Sequence, residues 1–296
     1  MNRLQLNLAL LVLVGGLAAT LYFTQETEQK GPPLTPLTDA TLERIRIQHP
    51  DAPAIALTKQ NGQWQLIEPV QAAADPLEVA SIVTLATMEA KRKLAVTDVD
   101  LKELKLDPPN YRVTLNDIEL GIGDSEPIEY RRYVRVGDEI ALTDDPPSAA
   151  LDADYSDLVS KALLPAGARL LRIEVPGLTL TRSEEGQTWI ESPAQPAASA
   201  DQKQKFVEGW SSARAMWNAA SPTGEAGAAG EPITLVYDGG ELKLTLVARE
   251  PQLVLENPAL RVRYTLSKAL ENEILRLPDP PAADEASPQA PATPPT

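Results

Sequence analysis

The chain of 296 residues has no cysteine and a single histidine. Without thiols there is no disulfide, no thiolate metal site, no cysteine nucleophile and no lipid-modified cysteine. One imidazole excludes a multi-histidine metal centre. Aromatics are sparse, at four tryptophans, seven tyrosines and two phenylalanines. Basic residues are outnumbered, 27 against 42 acidic, for a net charge of −15. Such a surface does not draw nucleic acid or anionic headgroups to the soluble part of the chain. No Gly-x-Ser-x-Gly elbow occurs, so His49, in the turn His49-Pro50-Asp51, has no nucleophile motif beside it and reads as a surface turn residue. Carboxylates are so abundant that a pair at glycosidase spacing would arise by chance. The reading is therefore non-enzymatic, with no catalytic residue, no metal and no cofactor expected.

What is present begins with an apolar run. Leu4 to Phe23 is 20 residues without a charge. As a helix it would span about 30 Å, the hydrocarbon thickness of a bilayer. Arg3 precedes it, Glu26 and Glu28 follow it, and Tyr22 and Phe23 sit at its end. Residues 1–24 are thus expected to be a transmembrane anchor that meets the lipid bilayer through residues 4–23, with the N-terminus cytoplasmic and the bulk of the chain outside. A cleaved signal peptide is the rival: its short charged start fits, but Leu21-Tyr22-Phe23 is a poor mature start after Ala18-Ala19-Thr20. Residues 25–40 read as a polar, proline-containing spacer. Residues 279–296, rich in proline and alanine, hold nothing larger and apolar to bury and read as a disordered tail.

Between these lies an internal repeat. Leu42 to Ile47 is echoed by Leu170 to Val175, and Asn61-Gly62-Gln63-Trp64 by Glu185-Gly186-Gln187-Thr188-Trp189. Pro69, Gln71 and Asp75 correspond to Pro193, Gln195 and Asp201. The offset of about 120 residues is far above solenoid periods and marks a duplicated unit, residues 41–165 and 166–278. Within a unit the pattern predicts strands, a helix, then strands again. Arg44 to Gln48 and Ala54 to Lys59 alternate with period two, and Asn61-Gly62 supplies a hairpin turn. Asp75 reads as the N-cap of a helix from Pro76 to about Lys93 with Leu77, Ile82, Leu85 and Met88 on its core face, and Lys91-Arg92-Lys93 complements that helix's C-terminal dipole. Asp201 is expected to start the matching helix, carrying Phe206, Trp210, Ala213 and Trp217. Trp64 and Trp189 read as core anchors beneath these helices. Gly121-Ile122-Gly123-Asp124 reads as a β-turn rather than a phosphate loop, since Pro127 and a strand follow. The expected fold is α+β: the anchor, then two tandem copies of an antiparallel-sheet-plus-helix unit, then the tail. The copies differ in charge, with 23 acids and 13 bases from Thr38 to Pro165 against 14 and 12 from Ala166 to Pro278.

The first copy carries Gly62-Gln63-Trp64, Pro69, Asp75, Leu104-Lys105-Leu106-Asp107-Pro108-Pro109, Ile122-Gly123-Asp124 and Tyr133-Val134-Arg135 in that order. Over about residues 42–220 the chain resembles the bacterial DUF4340 family, whose members have a membrane helix, a tryptophan-proline-aspartate segment, a "GLdPP"-like turn, an "iGd" turn and a "Yvr" strand. It departs from that pattern at Leu104-Lys105, where the family has Tyr-Gly. The family has no established activity. The resemblance implies an accessory protein of the cell envelope, of the kind encoded near ABC-type transporter genes, at the inner membrane with a periplasmic domain.

Tyr130-Arg131-Arg132-Tyr133-Val134-Arg135 is the densest basic and aromatic cluster in this acidic chain. On a strand, Arg131, Tyr133 and Arg135 would share one face, suited to an acidic partner or anionic group. The bland alternative is pairing with acids nearby, such as Asp124, Glu126 and Glu129. The expected function is a non-catalytic scaffold or accessory subunit of an envelope complex with a protein partner, no nucleic acid and no small-molecule ligand. The second reading is a periplasmic module binding a glycan or an anionic ligand.

Overall fold

The computed structural model describes residues 11, 13–17, 20, 31–50, 52–144, 151–186, 188–194, 198–222 and 230–277. Among the described residues no helix is long and apolar enough to cross a membrane. Residues 11, 13–17 and 20 are helical; the rest of the expected anchor, and the tail 279–296, lie outside the described residues.

Two antiparallel sheets with few helices make an α+β protein that is mostly β. The strands of the first are β1 (Arg44–Gln48), β2 (Ile55–Gln60), β3 (Gln63–Glu68), β4 (Ala72–Ala73), β5 (Arg92–Ala95), β6 (Tyr111–Leu115), β7 (Ile118–Ser125), β8 (Arg132–Val136) and β9 (Glu139–Thr143). Their order is β4-β3-β2-β1-β6-β7-β8-β9-β5. The second holds β10 (Leu170–Val175), β11 (Leu178–Arg182), β12 (Trp189–Ser192), β13 (Trp217–Ala220), β14 (Glu231–Tyr237), β15 (Gly240–Ala248), β16 (Leu253–Asn257) and β17 (Val262–Leu266). Their order is β12-β11-β10-β14-β15-β16-β17-β13. With β4 set aside, the two orders correspond strand for strand. The chain divides into two compact units: Met1–Thr41 with Thr84–Val113 and Asp117–Pro146, and Leu42–Val83 with Thr114–Asn116 and Pro147–Thr296.

Period-two patterning produces the strands. Ile45 and Ile47 are buried while Arg44, the first residue of β1, is exposed and Arg46 is half-buried, and Leu178 and Leu180 alternate with polar threonines in the same way. Asn61 and Gly62, with φ of 51° and 79°, close the β2–β3 hairpin as a type I′ turn, which Asn-Gly adopts without a steric penalty. In the second unit the helix Ala200–Ser212 packs on β10 and β12, burying Phe206 and Trp210 completely. The Trp210 indole N–H donates to the Ile274 carbonyl at 2.8 Å, so the largest core side chain leaves no polar atom unanswered.

The helices differ from expectation in five respects. The helix that begins at Pro76 ends at Val83, continues as a 3₁₀ turn over Thr84–Thr87, and gives way to β5. Its carbonyls are taken from outside: the Thr35 hydroxyl donates to Ala86 O at 2.6 Å and Leu34 N–H to Met88 O at 2.7 Å, while Ala90 N–H turns to Pro32 O at 2.9 Å. Residues 31–37 of the expected spacer are thereby fixed to the chain. Lys91, Arg92 and Lys93 are not at a helix end but pair with Asp144, Glu126 and Glu139. Leu77 is exposed, and the buried face is Val79, Ile82, Leu85 and Ala86. Ser199, not Asp201, caps the second helix, because Ser199 and Gln202 exchange side-chain bonds to each other's backbone N–H. That helix stops at Ser212, so Trp217 leaves it, lies on β13 and is half exposed.

Tyr264 on β17 is buried, and burial pushes its phenol up to about 12 against a partial offset from its hydrogen bond with Asn257. The unfolded chain ionises this phenol near 10 and the folded chain does not. The stability it contributes is intact below pH 10 and lost as pH rises toward 12, by about 3 kcal/mol in all. Urea unfolding at pH 9 and pH 11.5 should show this loss in the wild type, and Tyr264→Phe should reduce it.

Candidate functional site

The basic strand comes first. β8 begins at Arg132, so Arg131 stands just before it, after Tyr130 in a left-handed conformation with φ of 57°. Tyr133 and Arg135 share a face of β8 and are half buried, opposite Leu142 and Ile140 of β9. Arg131 pairs with Glu129 at 2.6 Å, and Arg135 Nε donates to the Gly137 carbonyl at 3.0 Å. Arg132, on the other face, donates to Gly123 O at 3.2 Å. All three arginines of the cluster are thus engaged locally, and Tyr133 and Arg135 line one strip.

The Leu-Asp-Pro-Pro and Ile-Gly-Asp segments meet each other. Gly121 and Gly123 lie within β7 and not in a turn. The Leu104 carbonyl approaches Gly123 so closely that a Cβ there would stand 2.3 Å from the oxygen and 2.9 Å from Leu106 Cδ2. Asp124 N–H donates to that carbonyl at 2.9 Å, and Asn110 Nδ2 bonds the Asp124 carboxylate at 3.1 Å. Glycine is needed here for space rather than for φ, and the pair of segments is a packing device.

His49 is tied down as well. Its Nε2 stands 2.5 Å from the Leu151 carbonyl, which makes this nitrogen the N–H donor. A small cavity of about 200 Å³ adjoins it, lined by Pro53, Ile55, Asp152, Asp154 and Tyr155 among others. Asp154 accepts from Ser156 N–H at 2.6 Å, and the Tyr155 hydroxyl donates to the Arg261 carbonyl at 2.8 Å. Burial raises the Tyr155 phenol above its ordinary value and likewise the Asp157 carboxyl, the latter against the Asp154 N–H that favours its charge.

Asp75 is the most heavily answered group. It is completely buried. One oxygen accepts Leu77 N–H at 3.0 Å, capping the helix Pro76–Val83 as its sequence predicts. The other accepts the Arg214 guanidinium at 2.7 Å and Lys161 N–H at 3.4 Å. Glu78, in the first turn of that helix, holds Lys161 Nζ at 2.6 Å. Around this carboxylate the segment 158–163 is bonded on both sides: Asp75 N–H to Leu158 O and Ser160 N–H to Ala73 O on one, Leu163 N–H to Ala213 O and Ala215 N–H to Lys161 O on the other. Buried Asn218 adds donors to the carbonyls of Ser156 and Val159, at 3.2 and 2.8 Å. Sequence reasoning found Asp75 but missed Arg214, Lys161 and Asn218; a buried carboxylate requires a cation, yet nothing local in sequence says which one.

Trp64 and Trp189 are half buried on their hairpins rather than in the core. The Lys59 ammonium stands 5.7 Å over the Trp64 ring.

Two expectations follow. Gly123→Ala should destabilise the chain by about 1–3 kcal/mol, because the Leu104 carbonyl cannot yield, whereas Gly121→Ala, with its nearest neighbour at 3.6 Å, should be near neutral in the same urea titration. Arg214→Ala should cost about 1–3 kcal/mol, since its half-exposed guanidinium is partly screened, and Asp75→Ala should cost more because the cap is lost with the ion pair. The double variant should fall short of the sum of the two, as expected for partners in one contact.

A family model described as a domain of unknown function, DUF4340, matches residues 64–216. No curated protein and no solved structure matches the chain. The matched span holds Trp64, Asp75, the Gly123 contact and Arg214, and on that match the chain belongs to the DUF4340 family.

Proposed function

We propose that the protein is a non-catalytic, membrane-anchored scaffold or accessory subunit of a cell-envelope complex, with its folded part on the periplasmic side. The observation that carries this reading is the outer strand of the second sheet. β12 pairs only with β11 in the strand order, and Ile190 on it is 61% exposed. An edge strand with a large apolar side chain is suited to accept a partner's backbone and bury that side chain. Met216 and Trp217 add further exposed apolar surface. The polar groups a catalyst would need are engaged instead in holding the chain, as Asp75 and His49 are. Anchoring is supported by the helical residues Leu11, Leu13, Val14 and Leu17, which are exposed by 57–71%. A tethered partner needs little affinity, because tethering raises the effective concentration.

The matching strand orders support the finer reading of the fold, two tandem copies of one unit, residues 41–165 and 166–278. Arg131, Tyr133 and Arg135 are the proposed partner surface of the first copy, with Tyr133 and Arg135 on one face of β8.

Purification of the tagged chain from native membranes in mild detergent tests this. The expected outcome is a stoichiometric protein partner that is reduced when Arg131, Tyr133 and Arg135 are changed together to alanine, or when Ile190 is changed to lysine. Recovery of the protein alone would count against the scaffold and in favour of a module binding a glycan or an anionic ligand.

A further inference from the structure

The two hairpins that carry tryptophans differ in one respect. In the β2–β3 hairpin Lys59 is the cross-strand partner of Trp64, and its ammonium covers the ring. In the β11–β12 hairpin Arg182 is the cross-strand partner of Trp189 in the same register. There Arg182 Nε donates to the Gly186 carbonyl at 2.8 Å, which ties the guanidinium to its own turn. Beside it opens a groove of about 250 Å³ between the hairpin and the helix Ala200–Ser212, lined by Arg169, Arg182, Trp189, Gln204, Val207 and Ser211 among others.

The two cations of this groove differ from those that are paired. Arg172, Arg214, Arg249 and Arg263 each hold a carboxylate. Neither Arg169 nor Arg182 has a carboxylate within ion-pair distance among the described residues. Asp238 accepts the backbone N–H of Arg169, at 3.1 Å, rather than its guanidinium. Two acids on the neighbouring elements are occupied: Glu191 by Lys203, and Glu208 by Gln204 Nε2 at 2.9 Å. Gln204 keeps its side-chain oxygen as an acceptor, and Ser211, which donates to Val207 O at 2.9 Å, keeps its lone pairs.

We propose that this groove binds an acidic sugar, a single pyranose ring bearing a carboxylate or a phosphate. Two guanidiniums without counter-ions supply the anion site. The indole supplies a flat apolar face for the ring. Gln204 and Ser211 supply acceptors for hydroxyls, which an aryl acid would leave unused. The volume suits one ring and is below that of drug-sized pockets. The site does not depend on the scaffold reading, and neither requires the other.

The test is a titration of the full-length chain in detergent with sodium D-glucuronate, D-glucose 6-phosphate and neutral D-glucose, read by tryptophan fluorescence. A saturable change is expected with at least one acidic sugar, about tenfold or more tighter than with glucose. The Arg169→Gln/Arg182→Gln double variant should weaken it about tenfold, and Trp189→Phe should remove the signal. Saturation-transfer NMR on the wild type gives a readout that needs no variant, with ring protons of the acidic sugar saturated. The glucuronate and phosphate arms say which anion the arginines take. No saturable response to either acid up to about 50 mM, a response equal to that of glucose, or one unchanged in the double variant would overturn the proposal.

Discussion

A carboxylate shut away from water must be met by donors, and the second unit is organised around meeting the one on Asp75. A single side chain starts the helix Pro76–Val83, receives the Arg214 guanidinium and takes the Lys161 N–H. Those partners are 86 and 139 residues away in the chain. Because the backbone of 158–163 is bonded on both flanks, neither flank can shift without exposing donors or acceptors to an interior that offers no replacement. Breaking one half of such an arrangement costs more than the arrangement itself is worth relative to a well-packed apolar one, which makes it a device for fixing one geometry.

The family's motifs take on a physical meaning in this light. Asp75 is a joint that holds Leu77, Arg214 and Lys161 together. Gly123 is a space left for the Leu104 carbonyl, and Asp124 secures the same turn through its own N–H and through Asn110. The departure at Leu104-Lys105 falls in this turn, and Lys105 takes a left-handed φ of 53° that glycine would adopt freely. The surfaces proposed for a partner or a ligand are the strip of Arg131, Tyr133 and Arg135, the exposed edge at Ile190 and the groove beside Trp189.

Legibility followed the range of the interaction. The Asn61-Gly62 turn, the alternation in β1 and the Asp75 cap are written within a few residues, and the structure shows each, whereas β2 forms but buries Ile55, Ala56 and Leu57 in succession. The end of the first helix was not legible, because Leu34 and Thr35 capture its carbonyls from about 50 residues away. Trp217 misled for a similar reason: its spacing of seven from Trp210 fits one helical face, but Met216 N–H is claimed by Thr265 O and the chain turns into β13. Ser199 rather than Asp201 takes the cap, in the Ser-x-x-Gln spacing of a capping box. Of the basic cluster, sequence placed Tyr133 and Arg135 on one face correctly, but the backbone bends at Tyr130, so the strand does not reach Arg131.

The docking of residues 31–37 has a mechanical consequence. Pro32, Leu34 and Thr35 are held to Ala90, Met88 and Ala86 by three hydrogen bonds. Tension arriving along the chain from its N-terminal end is therefore borne first by these bonds and only afterwards by any strand of the sheets. They act as a strain relief, so a lateral tug on the chain loads a replaceable latch before it loads the core.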